Sequence, residues 1–164
     1  LAAGAAQARA PVLLFVHADT RLPDGYVEAI EAALAAPGRS VGAFRLRVDG
    51  AGFALRWIEW WVAQRCRWLS LPYGDQALFV RTSTYRELGG FRDLAALEDI
   101  EFVRRARRHG RVHVLDHPVL TSARAWRRHG VLRMTLVNAA CAVAFSVGVP
   151  VDAVARWRLR RTRA

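Results

Sequence analysis

Hydrophobic and polar positions along the chain switch between two periods. Val12-Leu13-Leu14-Phe15-Val16 is an unbroken apolar run of strand length, which predicts a buried central strand. Over Val41–Val48, Phe44, Leu46 and Val48 alternate with Ala43, Arg45 and Arg47, which predicts a strand with one polar face. Further strands are predicted near Gln76–Arg81 and over Val112–Leu115. Elsewhere the period lengthens. Leu97, Ile100, Val103 and Ala106 recur every third residue and share a helix face, with Arg104, Arg105, Arg107 and Arg108 on the other sides. Helices are also predicted over Tyr26–Ala36, with Asp24 as its cap, and over Phe53–Leu69, Thr82–Leu88 and Val131–Val149. Pro37-Gly38, Gly50, Gly52, Pro72-Tyr73-Gly74, Gly89-Gly90 and Gly110 punctuate these segments.

Alternating strands and helices predict an α/β fold with a mostly parallel sheet and helices on both faces. Leu1–Ala10 reads as the end of a helix, stopped by Pro11. Trp57, Trp60, Trp61 and Trp68 are spaced so that several share a helix face, which favours packing into the core, with stacking on a sugar ring or lipid headgroup as the functional alternative.

A chain of 164 residues, 53% hydrophobic, suits one domain with a real core and excludes disorder. Cys66 and Cys141 lie in apolar or aromatic helical stretches without metal spacing, so buried free thiols in a reducing compartment are expected. No signal-peptide pattern is visible, and a cytoplasmic location is expected. Charge sharpens the picture: 25 Lys+Arg, all of them arginine, against 14 Asp+Glu give net +11. The expected partner is anionic. No helix-turn-helix, zinc or aromatic RNA motif is present, so nucleic acid is set aside. Val131–Val149 contains Arg133 and Asn138, so it reads as a docking or interfacial helix. With Trp157 and the terminal arginines it would sit peripherally at an anionic membrane surface.

Three carboxylate segments carry the candidate chemistry. Asp19, just beyond the first strand, can bind Mg²⁺ or Mn²⁺ through oxygen, and His17 can point to the same side. Glu98-Asp99 opens a helix, where an anionic side chain is favoured and a general base is well placed. Gly74-Asp75-Gln76 combines a turn, a carboxylate and an amide that can hold sugar hydroxyls. Arg124, Arg127 and Arg128 can clamp a phosphate. Blander readings stay open at this level: Asp19-Thr20 as a turn cap, Glu98-Asp99 as ordinary first-turn acids, and the arginines as a solvated patch.

Taken together, Leu14–Pro23, Leu71–Arg81, Leu88-Gly89-Gly90-Phe91, Glu98-Asp99-Ile100-Glu101 and Thr121-Ser122-Ala123-Arg124-Ala125-Trp126 resemble family-2 glycosyltransferases of the GT-A fold. They look most like the bacterial branch described as radical-SAM/selenodomain-associated. The resemblance implies a GT-A-like, Rossmann-like domain over 1–127 that lacks its first β-α-β unit, followed by an apolar helix and Arg-rich tail over 128–164. It implies sugar transfer from a nucleotide-diphosphate donor to an acceptor hydroxyl with inversion, assisted by Mn²⁺ or Mg²⁺. His17-Ala18-Asp19 stands where the family has Asp-x-Asp, with His17 in place of the first Asp and Asp19 as metal ligand. Asp99 would be the base, with Glu98 beside it. Gly74, Asp75 and Gln76 match the acceptor and donor-sugar loop, and Arg124 and Trp126 would join the substrate-binding set. The acceptor, a lipid or a small molecule, is left open. A nonenzymatic or degenerate module binding membranes or anions is the alternative.

Overall fold

Consecutive residues of the first apolar run go to opposite faces of a sheet. In the computed structural model, which describes residues 1–162, this run forms β1 (Val12–Phe15), preceded by α1 (Ala2–Gln7). Leu13 and Phe15 enter one core cluster, while Val12 and Leu14 pack against another. There follow β2 (Thr20–Arg21), α2 (Tyr26–Ala35), β3 (Val41–Asp49), α3 (Phe53–Leu69), a 3-10 turn over Gly74–Gln76, β4 (Leu78–Arg81) and α4 (Thr82–Glu87). The chain continues through α5 (Glu98–His109), β5 (His113–Ser122), α6 (Arg124–His129), α7 (Val131–Ser146) and α8 (Val151–Thr162).

The five strands form one sheet in the order β1-β4-β3-β5-β2. Only β3 and β5 run parallel; β1–β4, β3–β4 and β2–β5 are antiparallel. The expected mostly parallel sheet is therefore replaced by a mixed one, and β1 lies at its edge instead of its centre. A continuous apolar run reports that both faces of a strand are covered. It says nothing about whether both edges are paired.

Helices do cover both faces. Tyr85 of α4 and Phe102, Val103 and Ala106 of α5 pack with Leu13, Phe15, Leu78 and Val80 on one side. Ile30, Ala33 and Leu34 of α2 pack with Phe44, Phe79 and Val119 on the other. The predicted face of α5 is buried throughout: Leu97, Ile100, Val103 and Ala106. Arg105, expected outside, turns back to pair with Glu101 at 2.7 Å and donates to the carbonyls of Leu88 and Gly90, tying α5 to the Gly89-Gly90 turn.

Two boundaries move, and one expected cap is absent. β5 runs on past Leu115 to Ser122, with its register to β3 shifting where Phe44 faces Leu115 but Arg45 faces Pro118; Pro118 has no N–H for the ladder, and the strand bulges there. Gly25, with φ 69°, precedes α2, and Asp24 makes no cap bond. The last apolar helix stops at Ser146, and the arginine-rich segment beyond Pro150 is itself helical. Val137 and Cys141 of α7 and Val154 of α8 bury themselves against Leu97 and Ile100. Of the expected 128–164 segment, residues 163 and 164 lie outside the described residues. Both cysteines are free and buried.

Candidate functional site

Beyond β1 the chain turns at once. The Thr20 amide donates to the His17 carbonyl at 3.0 Å, and β2 then pairs with the end of β5. This brings Thr121–Arg124 alongside the first motif. The Ser122 amide donates to the Asp19 carbonyl at 3.1 Å, and the Arg124 guanidinium lies 3.9 Å from Asp19 Oδ2. Both side chains are exposed, Asp19 at 40% and Arg124 at 79%.

The second motif is held from below by α3. Gln76, 1% exposed, donates through Nε2 to the Phe44 carbonyl at 2.9 Å. Its Oε1 accepts from Arg65 at 3.1 Å and from the Tyr73 amide at 3.3 Å. Arg65 also donates to the Leu71 carbonyl at 3.0 Å. These bonds clamp the 3-10 turn to the sheet. Gln76, expected to touch sugar, is committed to the protein's own framework.

Gly74 is the meeting point. Its amide donates to Asp99 Oδ2 at 2.6 Å, a charge-assisted bond from the second motif to the third. A Cβ on Gly74 would stand 2.9 Å from His17 Nε2 and 3.0 Å from Asp99 Oδ2. Only glycine fits between these two side chains without displacing one. Backbone of an unusual kind flanks both acidic motifs: Ala77 (φ 48°) follows the turn and Leu97 (φ 64°) precedes Glu98, each a non-glycine residue in the left-handed region.

A cavity of about 350 Å³ opens here, lined by His17, Tyr73, Asp75, Glu98 and Asp99, and on its far side by Asn138 and Cys141 of α7 and Arg158 of α8. Asp75 is half-buried, and its Oδ1, shut off from solvent, has no hydrogen-bond partner among the described residues. Burial pushes its carboxyl pKa up, and the neighbouring Asp99 adds to this; Arg65 and His17 oppose it. Burial likewise raises the Tyr73 hydroxyl, against the pull of Arg65.

The fold thus gathers His17, Asp75, Glu98 and Asp99 at one cavity, with Gly74 wedged between His17 and Asp99, and sets Asp19, two residues after His17, beside Arg124 as a second pair. Trp126 stays apart, packing with Leu46, Val48, Leu55, Ile58 and Ala123. Sequence reasoning missed Arg65, Tyr73, Asn138, Cys141 and Arg158. Arg65 lies on the flank of α3 between the tryptophan stripe and the buried face, and no local pattern pointed to it or to the residues of α7 and α8. Among the described residues no group of three or more His, Cys, Asp or Glu side chains is arranged to hold a metal by itself. Searched against protein-family models and against curated proteins, the chain matches none.

Proposed function

We propose that this chain is a glycosyltransferase domain that moves a sugar from a nucleotide-diphosphate donor to an acceptor hydroxyl with inversion. The observation that carries the reading is the convergence at Gly74: Asp99 bonded to its amide and His17 packed against it, so that motifs far apart in sequence meet at one cavity. In this reading Asp99 keeps Oδ2 on the Gly74 amide and takes the acceptor proton on Oδ1. The freed acceptor oxygen attacks the anomeric carbon as the bond to the diphosphate breaks, and the electron pair leaves with the diphosphate. Arg124 pairs with the departing anion. Asp19, exposed and with Arg124 only at the long limit of an ion pair, fits a site where nucleotide oxygens complete the coordination of Mn²⁺ or Mg²⁺. Such a cation supplies Lewis-acid stabilisation of the leaving group.

The test is sugar transfer by the full-length protein from a panel of nucleotide-diphosphate sugars. Asp99→Asn should lower turnover by about 10²–10⁴ at saturating substrates while donor binding survives. Asp19→Asn should abolish the Mn²⁺ dependence of donor binding seen by calorimetry. Near-normal turnover of Asp99→Asn with a dead Glu98→Gln would move the base to Glu98. Normal turnover in both would remove the mechanism.

A further inference from the structure

The helix α3 is apolar on two opposite faces. Leu55, Ile58 and Cys66 point into the protein. Phe53, Trp57, Trp60, Trp61 and Trp68 recur at intervals of three, four and seven residues on the other side, and all are exposed, Phe53 at 84% and Trp68 at 67%. Trp61 stacks edge-on with Trp57 at 5.8 Å and with Trp60 at 5.3 Å, so the rings form a continuous surface. This corrects the expectation that the tryptophans fill the core; the inner face of α3 is already occupied by smaller residues.

A second helix repeats the pattern. In α7, Val137 and Cys141 face inward, while Leu132, Leu136, Val143 and Val147 lie at intervals of four, seven and four on an exposed stripe. The two helices are neighbours, and Val131 at the start of α7 packs against the Leu55 and Ile58 cluster of α3. Arginines border both stripes: Arg67 beside Trp68 and Arg133 beside Leu132, each exposed.

We propose that α3, together with α7, lies in the interface of an anionic lipid membrane, a property that goes beyond the sugar-transfer reading and does not depend on it. Tryptophan is the side chain best matched to the boundary between headgroups and acyl chains, since its ring is apolar and its N–H is polar. Bordering arginines can reach lipid phosphates while their stems cover apolar surface. A second copy of the chain is disfavoured by charge: it would bring net +11 against net +11 and arginine rims against arginine rims. Among the described residues no helix is long and apolar enough to cross a membrane, so the geometry is that of helices lying on it.

The experiment is co-sedimentation of the full-length protein with vesicles of phosphatidylcholine alone and of phosphatidylcholine with phosphatidylglycerol, read with tryptophan emission. Binding to the anionic vesicles, a blue shift and quenching by brominated acyl chains are expected. Trp57→Ser/Trp60→Ser/Trp61→Ser should weaken partitioning at least about tenfold, with the circular-dichroism melt unchanged. If the triple variant unfolds, Phe53→Ser/Trp68→Ser at the most exposed positions replaces it. Failure to bind anionic vesicles, binding without acyl-chain quenching, or unchanged binding by the folded variants would each overturn the proposal. So would a lipid-free dimer that these substitutions dissolve while vesicle binding persists, which would assign the stripe to a second copy. Each outcome is readable without any transferase assay.

Discussion

The Arg65 guanidinium lies 3.4 Å from the centre of the Tyr73 ring, and the same group donates to Leu71 and Gln76 on either side of that tyrosine. One side chain of α3 thereby fixes the approach to Gly74 and the turn that follows. Arg65→Met should lower the free energy of unfolding by about 1–3 kcal/mol, because it removes donors from partly buried acceptors. Arg65→Lys should recover only part of this, since an ammonium cannot stack flat on the ring while forking to two oxygens. Urea denaturation of the three proteins measures both.

Asp75 ties stability to pH. Its carboxyl is raised above the ordinary 3.8 by burial, so the native state holds the proton more tightly than the unfolded chain does. The native advantage is full below the unfolded value and is lost as pH rises through the folded one. Asp75→Asn should therefore be more stable than the parent at neutral pH, and the difference should shrink as pH falls toward about 4. Thermal melts across that range give the answer, and a difference that grows on acidification would contradict it.

Gly74→Ala places a methyl group against His17 and Asp99. If the transfer chemistry resides there, displacement by about 1 Å costs around 10²-fold in turnover. Stability should change far less, because His17 is exposed and can give way. Parallel kinetic and melting measurements separate the two effects.

Gln76→Leu distinguishes a framework role from substrate contact. Nε2 alone satisfies the buried Phe44 carbonyl by a side chain, and its loss should cost about 1–3 kcal/mol. Donor affinity, measured well below the melting temperature, should change little. A large drop in affinity with no loss of stability would return Gln76 to the substrate-contacting set.

How far such features could be read from sequence differs by element. The α5 face was legible because Leu97, Ile100, Val103 and Ala106 obey a single period and all find the same core. The ends of α3 were legible because Gly52 precedes the helix and Pro72-Tyr73-Gly74 follows it; the left-handed backbone at Ser70, where the helix stops, was not. Strand direction was not legible, since β1 is equally apolar whether its neighbour runs with it or against it. The fate of the tryptophans was hidden for a related reason: spacing puts them on one face but cannot say which face meets the core. At the site, the motif residues His17, Gly74 and Asp99 were visible singly. Their meeting depends on a turn held by Arg65 and Gln76, whose bonds span the sheet and leave no mark in any local pattern.

The pairing scheme of the sheet also sets an order of events. Among the described residues β3 and β4 are the one pair of partners that also follow each other in sequence, and even they are separated by α3; the shortest link in the ladder joins Gly42 to Phe79, and the longest joins Thr20 to Thr121. While the chain is being made, β1, β2 and β3 must wait without partners until β4 has been synthesised, and β2 must wait until almost the end of β5. Closing such distant contacts spends chain entropy before any ladder bond repays it, so folding should be slow for a domain of this size. Apolar β1 remains open for pairing with other nascent chains throughout that interval. The yield of folded protein should thus depend on the speed of translation and on holding chaperones, even where the finished fold is stable.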